Sequence, residues 1–184
     1  MSGISIELDE KQLAGFDKLL ELAPREIDAA ATAAVNRTIT HVVALTSKSV
    51  RAEYLVKAGD IKRTLKTQKA ARSHPVGVIR STGQPLLLSS FRVSSATSRP
   101  LKAQVKRKSA ARTVGGMFQG TSRSGYTGLM LRETRSSYPL RVPYGPSVPQ
   151  MIASEDVIPA IETDAQEYLE KRFLHEVDYR LGRL

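Results

Sequence analysis

The chain contains no cysteine and no tryptophan, and aromatic residues make up only 5% of its 184 residues. The missing thiols exclude disulfides and thiolate metal sites, and they are compatible with a reducing cytoplasm. Hydrophobic residues make up 41%, which predicts a thin core that is ordered partly by neighbouring subunits. No apolar run reaches the roughly 18 residues of a membrane span, and the start, MSGISIELDEKQL, lacks signal-peptide features. We therefore expect a soluble protein that is not secreted.

Carboxylates are also missing from a long central stretch, between Asp60 and Glu133. Residues 1–60 hold 7 Lys and Arg against 9 Asp and Glu, a net charge of −2. Residues 61–150 hold 17 against 1, a net of +16, and residues 151–184 hold 4 against 8, a net of −4. Because a solvated surface usually mixes both signs, the basic block indicates a surface that faces a polyanion or the acidic ends of other copies.

The spacing of apolar residues predicts helices towards both ends of the chain. Alternation over residues 4–8 predicts a short strand, and Asp9 then caps a helix that runs to about residue 22. The strongest helical pattern runs from Pro24 to about Arg51, and its many alanines allow close approach by another helix. A C-terminal helix of about twenty residues has Pro159 near its start.

The middle of the chain changes from helical to strand-like patterns. A short helix over the sequence AGDIKRTLKTQKA, capped by Asp60, precedes several short apolar segments separated by Gly, Pro and Ser. These segments predict a small antiparallel sheet of about four or five strands, with a long mobile loop or arm at about residues 110–128. The order of helices, sheet and helix predicts an α+β fold. As a single domain, it comprises a helical part (1–72), a sheet part (73–145) and a C-terminal helical part (146–184).

Candidate catalytic groups are scarce. The three histidines, His41, His74 and His175, have no partners at metal-ligand spacing. The sequence has no nucleophile elbow and no P-loop, and nuclease chemistry usually needs clustered carboxylates, which the basic block lacks. We therefore expect no enzyme activity, no metal and no cofactor, and a small hydrolase is only a remote alternative.

The basic block has two clusters that predict contacts with DNA or with an acidic partner. The first is predicted to lie along one helical stretch, and the second has the form of a protected edge strand. A solvated protein surface is the alternative explanation, and nothing resembles a sequence-reading helix. The predicted contact residues are Lys62, Arg63, Lys66 and Lys69 in the first cluster, and Lys102, Lys106, Arg107 and Lys108 in the second.

A set of motifs in a fixed order resembles the phage minor tail protein Z family, the tail-completion proteins of long-tailed phages and their prophages. The motifs are AVNRT (Ala34–Thr38), VKAGDIKRTLKTQKA, PLLLSSFRV, GGMFQG and finally LRVPYGPSVPQMI. The resemblance covers roughly Ile27–Ile152, and the proline-rich last motif, followed at once by a helix, is its most specific element.

The resemblance implies a structural virion protein at the head-proximal end of the tail, where it finishes the tail and enables head joining. It implies a homo-oligomeric ring, with six copies favoured, next to other tail and neck proteins such as tail terminator and head-completion proteins. It implies no cofactor and no catalytic residue, and the lack of a long apolar run predicts no membrane partner. The main alternative is a non-specific DNA-binding or packaging-associated protein that uses block 61–150.

The proline-rich loop then suits a subunit interface. Prolines lower the cost of ordering a docking segment, and a tyrosine and an arginine offer an anchor and a charge. Gly145 is expected to permit a turn. The alternative is a loop that only reverses the chain between sheet and helix. The predicted interface residues are Arg141, Pro143, Tyr144, Gly145, Pro146, Pro149 and Gln150.

Overall fold

A computed structural model describes residues 2–6, 24–94, 100–123 and 125–181. The described helices are α1 (Pro24–Glu53), α2 (Ala58–Thr64), α3 (Val148–Ile152) and α4 (Ile158–Leu181), with a 3₁₀ turn at Leu88–Ser90. The described strands are β1 (Ser2–Ile6), β2 (Leu65–Gln68), β3 (Gly77–Ser81), β4 (Arg92–Val93), β5 (Lys102–Gln104), β6 (Arg112–Thr113), β7 (Met117–Thr121), β8 (Thr127–Arg132) and β9 (Leu140–Arg141). The α+β class is confirmed. The helix predicted from Asp9 lies outside the described residues.

Helices α1 and α4 form an antiparallel pair. Glu26 near the start of α1 contacts Arg180 near the end of α4, whereas His41 further along α1 contacts Asp164. Ala30 and Ala34 are fully buried on α1, so the small side chains allow the core to come close to its backbone. The predicted long helix and the C-terminal helix are thus confirmed, and their buried faces form a large part of the core.

The described strands form three antiparallel three-stranded sheets, whereas the sequence predicted one sheet of about four or five strands. Their orders are β1-β3-β2, β4-β5-β6 and β7-β8-β9. Pro85 interrupts the chain between the first and second sheets, because it has no amide donor for a ladder. Between the second and third sheets the chain turns at Gly116, whose φ of 71° lies in the left-handed region.

The first sheet packs against α1. Gly77 on β3 lies so close to the helix that an added Cβ atom would be 2.4 Å from Ile39 Cδ1. The short helix α2 ends at Thr64, and β2 starts at the next residue, so the predicted helix through Ala70 is wrong in its second half. Pairing of β2 with β3 overrides the local helical pattern there. Asp60 lies within the first turn, and the N-cap is Lys57.

The segment expected to be an arm contains regular structure. Strand β6 pairs with β5, and β7 pairs with β8 in a hairpin whose register runs from Met117 opposite Leu131 to Thr121 opposite Thr127. Gly125 near the hairpin end has a φ of 85°, which suits a tight reversal. Among the described residues, no helix is both long and apolar enough to cross a lipid bilayer.

Candidate interaction surfaces

The proline-rich loop after β9 is attached to the protein body by backbone hydrogen bonds. The amide of Leu88 donates to the carbonyl of Pro143 at 3.0 Å, and the amide of Gly145 donates to the carbonyl of Leu86 at 2.8 Å. Because prolines remove amide donors from the loop, its carbonyl groups need donors from a neighbouring segment. The chain around the 3₁₀ turn supplies them, so the loop has a defined position.

Gly145 serves close packing in this loop. Its φ is not among the positive values, which occur at Gly116 and Gly125 among the described glycines. A Cβ atom at position 145 would lie 2.5 Å from Cε2 of Phe91, a ring that is only 6% exposed. The requirement for glycine is therefore one of space next to Phe91, and not the left-handed turn conformation for which glycine is usually needed.

The end of the loop forms the N-terminal cap of α3. The Ser147 hydroxyl accepts a hydrogen bond from the Gln150 amide at 3.4 Å, and the Gln150 side-chain oxygen accepts one from the Ser147 amide at 2.9 Å. This reciprocal pair is a capping box. Pro149 is buried in the first turn of α3, and Val148 is fully buried. Pro149 and Gln150 thus have roles in starting α3 that do not require a subunit interface.

Three of the seven predicted interface residues are exposed, namely Tyr144 in the loop, Arg141 at the end of β9 and Gln150 in α3. Tyr144 is 59% exposed, although its backbone pairs with Leu87. The side chain of Arg141 is 66% exposed, and its Nη1 lies 3.6 Å from Oε1 of Glu133. Pro143 is buried and Pro146 is partly buried. The loop therefore presents one aromatic ring and one guanidinium group from a fixed backbone.

The eight predicted basic contact residues lie on several elements. Their positions are Lys62 and Arg63 on α2, Lys66 on β2, Lys69 just after β2, Lys102 on β5, and Lys106, Arg107 and Lys108 in the turn after β5. The structure brings Lys62 and Arg107 together at one surface groove. The first cluster is thus not a single helical stretch, because the chain changes from helix to strand at Leu65.

The turn after β5 is bound to the chain's own acidic groups. Lys106 Nζ lies 2.8 Å from Asp156 Oδ2, and Lys108 Nζ lies 2.8 Å from Glu53 Oε1. The hydrogen bond with Asp156 raises the pKa of Lys106, and the hydrogen bond with Glu53 raises the pKa of Lys108. The hydrogen bond with Lys106 lowers the pKa of Asp156. These two lysines already have acidic partners, which weakens the prediction that they contact DNA.

A model of the family described as prophage minor tail protein Z matches residues 14–184, nearly the whole chain. The chain belongs to this family. No curated protein and no solved structure matches the chain. Membership makes the chain a phage tail protein with a structural role, located in the virion tail.

The AVNRT motif of this tail protein connects α1 to two other elements. The Asn36 side chain donates to the carbonyl of Ala70 at 3.1 Å and accepts from the amide of Ala70 at 2.9 Å. It therefore occupies both backbone groups of a residue in the β2–β3 connection, as a neighbouring strand would. Arg37 Nε lies 3.0 Å from Oε1 of Glu176, a carboxylate on α4 that is only 4% exposed.

One histidine of the tail protein lies in the contact between its two long helices. Among the described residues, no group of three or more His, Asp and Glu side chains is arranged to hold a metal ion. The His41 ring stacks on Tyr168 with 3.9 Å between ring centroids, and its Nε2 lies 2.5 Å from Asp164 Oδ1. His41 thus takes part in the contact between α1 and α4.

One basic groove was not predicted from the sequence. It runs along the outer face of α1 and has a volume of about 620 Å³. Four cations line it, namely Lys48 and Arg51 of α1 together with Lys62 and Arg107. Lys48 and Arg51 belong to residues 1–60, which have a net charge of −2, so the charge of that region does not indicate a basic surface. Their spacing of three on a helix was the available sequence signal.

Proposed function

We propose that this protein is a tail-completion protein that forms a ring at the head-proximal end of the tail. The ring finishes the tail and makes it competent to join the head, and it acts without catalysis, metal or cofactor. The observation that carries the proposal is the match of the minor tail protein Z family to residues 14–184. The partners would be other copies of the chain and adjoining tail and neck proteins, such as tail terminator and head-completion proteins.

The fixed proline-rich loop supports an interface role. Its backbone is already ordered by hydrogen bonds to Leu86 and Leu88, so docking would cost little conformational entropy. Tyr144 then provides an amphipathic anchor, and Arg141 provides a charged group that can exchange Glu133 for a carboxylate of a partner. We propose these two residues as the contact residues of the loop, with its prolines and Gln150 holding the backbone in place.

Electron microscopy of particles from a prophage that lacks this chain tests the proposal. We expect filled heads beside separate tails whose upper ends are defective. Complementation with the wild-type chain should restore joined particles, and the double variant Tyr144→Ala with Arg141→Ala should reduce their yield by about tenfold or more. The reason is that the variant loses the anchor and the charge while the loop backbone keeps its hydrogen bonds.

A matched control uses two exposed residues of the β7–β8 hairpin region, Gln119→Ala with Arg123→Ala. This variant should complement as well as the wild-type chain. Joined, normal virions from the prophage without the chain would contradict the tail-completion proposal. Normal complementation by the loop variant would contradict only the role assigned to Tyr144 and Arg141.

Non-specific DNA binding is a second candidate function, and one feature of the first sheet favours it. Lys66 on β2 lies directly opposite Arg80 on β3, and both side chains are exposed. Like charges opposite each other destabilise an antiparallel pair, and among the described residues no carboxylate forms an ion pair with either. Phosphate groups would relieve this repulsion. Micromolar binding to random duplex DNA that weakens with salt, and is lost in Lys66→Glu with Arg80→Glu, would support this function.

A further inference from the structure

Four cations and, among the described residues, no carboxylate line the basic groove on α1. Lys48, Arg51, Lys62 and Arg107 are all exposed, and among the described residues none of them forms an ion pair with a carboxylate. Arg107 is held in position because its Nε donates to the carbonyl of Arg51 at 2.7 Å. Four cations held close together repel one another, so the groove is suited to an anionic partner.

The groove is also long enough along α1 to accommodate several turns of a helix, and part of its lining is apolar. Its α1 residues recur at spacings of three and four from Thr40 to Ala52, a rise of about 18 Å along the helix. Besides the cations, the lining includes Thr40, Ser47 and the small apolar side chains of Val43, Ala44, Ala52 and Ala58; these apolar side chains are called the apolar floor below. An amphipathic helix that lies in such a groove buries its apolar parts on the floor and places its charges at the rim.

The outer face of α4 has the complementary charge and length. Glu162, Glu167 and Glu170 lie on this face together with Thr163 and Gln166, and all five residues are exposed. The face starts at Pro159 and ends at Glu170, a rise of about 16 Å. Among the described residues, none of the three glutamates forms an ion pair with a cation.

We propose that the basic groove of one copy binds the acidic outer face of α4 in the next copy. This contact joins two different surfaces of the same chain, so it is heterologous and continues from copy to copy until a ring closes. Charge complementarity fixes the register, and the apolar floor supplies the burial. The inference rests on the proposed ring function, and it names the surfaces that hold the ring together.

Duplex DNA is a less suitable occupant of this groove than an acidic helix. A sugar–phosphate backbone would use the four cations, but it would leave the apolar floor between them without a matching partner. The glutamate face offers carboxylates for the cations, and its Pro159, Thr163 and side-chain methylene groups can cover Val43 and Ala44. In addition, DNA would repel the acidic face and leave it without a partner, whereas a contact between copies gives both surfaces a partner.

Charge reversal in two separate variants tests the contact. A groove variant carries Lys48→Glu with Arg51→Glu, and a face variant carries Glu167→Lys with Glu170→Lys. Each variant alone should lower the yield of joined particles at least about tenfold, because like charges meet at every contact of the ring. The two variants expressed together should restore the yield, since a reversed groove accepts a reversed face and the two kinds of copy can alternate.

Matched controls reverse the same number of charges outside both surfaces. Arg123→Glu with Arg135→Glu controls for the groove variant, and Glu155→Lys with Asp178→Lys controls for the face variant; all four residues are exposed. Both controls should complement normally. If the mixture of groove and face variants is as defective as each variant alone, the proposed contact is overturned.

Cross-linking gives a readout that does not depend on tail completion. Because the chain has no cysteine, a variant with Ala52→Cys in the groove and Gln166→Cys on the acidic face carries only these two thiols. A membrane-permeant bismaleimide added to phage-producing cells should give a ladder of covalent oligomers. The control, Ala52→Cys with Gln119→Cys on the hairpin, should give no ladder.

The outcomes separate the contact from the proposed function. A ladder, together with normal particles from the prophage that lacks the chain, would support the contact and contradict tail completion. Absence of the ladder would overturn the contact whatever the particles look like. A third outcome is that no ladder forms and that the groove variant alone loses binding to a 30-base-pair duplex. This outcome would assign the groove to DNA and would overturn the proposed contact between copies.

Discussion

At the scale of single residues, Gly145 and Asn36 hold the chain at two points where segments distant in sequence meet. Gly145 leaves the space that the Phe91 ring fills, which brings the proline-rich loop against the 3₁₀ turn. Asn36 binds both backbone groups of Ala70 and so attaches the β2–β3 connection to α1. A larger residue at position 145 would collide with Phe91, and a shorter side chain at position 36 would not reach Ala70.

Substitution of Gly145 by alanine tests this packing directly. We expect Gly145→Ala to lower the free energy of unfolding by about 1–3 kcal/mol, because the added methyl group must displace a buried ring. Urea unfolding at neutral pH measures the change. Gly59→Ala is the matched control, since nothing lies within 4 Å of a Cβ there and alanine is favoured in a helix by about 0.5–1 kcal/mol. Equal stability of Gly145→Ala and the wild-type chain would contradict the packing argument.

At the scale of elements, α1 and α4 are joined by an apolar interface and by a charged cluster around Glu176. This carboxylate is 4% exposed, and its Oε1 lies 3.0 Å from Arg37 and 3.7 Å from Arg172. A buried carboxylate without cations is costly, so the two arginines compensate for its burial. The arginine of the AVNRT motif is thus explained by its contact with Glu176, which lies 139 positions later in the chain.

Removal of Arg37 should weaken this helix pair. We expect Arg37→Met to lower the free energy of unfolding by about 1–2 kcal/mol, a value reduced because the Arg37 side chain is 55% exposed. Adding Glu176→Gln should recover part of the loss, since a neutral amide costs less to bury than a carboxylate. A double-mutant cycle by urea unfolding gives the coupling energy. Strictly additive effects would show that the pair is not coupled, and Lys171→Met on the exposed face serves as the control.

At the scale of the whole molecule, the turn after β5 ties the central sheets to both long helices. Lys108 contacts the end of α1 through Glu53, and Lys106 contacts Asp156 just before α4. The amide of Arg107 also donates to the carbonyl of Glu53 at 2.7 Å. The turn after β5 thus has ion pairs with the end of α1 and with the turn before α4, and these ion pairs depend on charge.

The Lys106–Asp156 link predicts a dependence of stability on pH. The hydrogen bond from Lys106 lowers the pKa of Asp156 from 3.8. The ionised Asp156 therefore stabilises the fold fully above that pH, and this stabilisation is lost as the pH falls further. The pKa of Lys106 is raised from 10.5, so its effect is complete below that pH and is lost at higher pH. As the pH falls below 3.8, Asp156→Asn should therefore lose less stability than the wild-type chain, measured by urea unfolding.

The neighbouring exposed carboxylate provides the control for this prediction. Among the described residues, Glu155 has no ion-pair partner, so Glu155→Gln should follow the wild-type pH dependence. If Asp156→Asn and Glu155→Gln respond alike to acid, the link between Lys106 and Asp156 contributes nothing measurable. Exposed ion pairs are often weak, so this comparison also shows whether the turn needs the link at all.

The sequence by itself determined the features that depend on local patterns. The three-to-four spacing in residues 24–51 and 161–173 specified the two long helices, because such spacing produces one apolar face on a helix. The prolines after Pro139 specified an irregular loop, and the distribution of carboxylates specified the basic block. The ordered motifs were sufficient for the family, which the match to residues 14–184 confirms.

Only the tertiary structure decided how distant segments pair. It divided the described strands among three sheets and converted residues 65–68 from helix to strand. It left Tyr144 and Arg141 exposed, whereas Pro143 and Pro149 are buried. It also brought Arg107 to Lys48 and Arg51 in one groove. These outcomes follow from contacts between residues tens of positions apart, and their free energy depends on packing and hydrogen bonding that no local pattern contains.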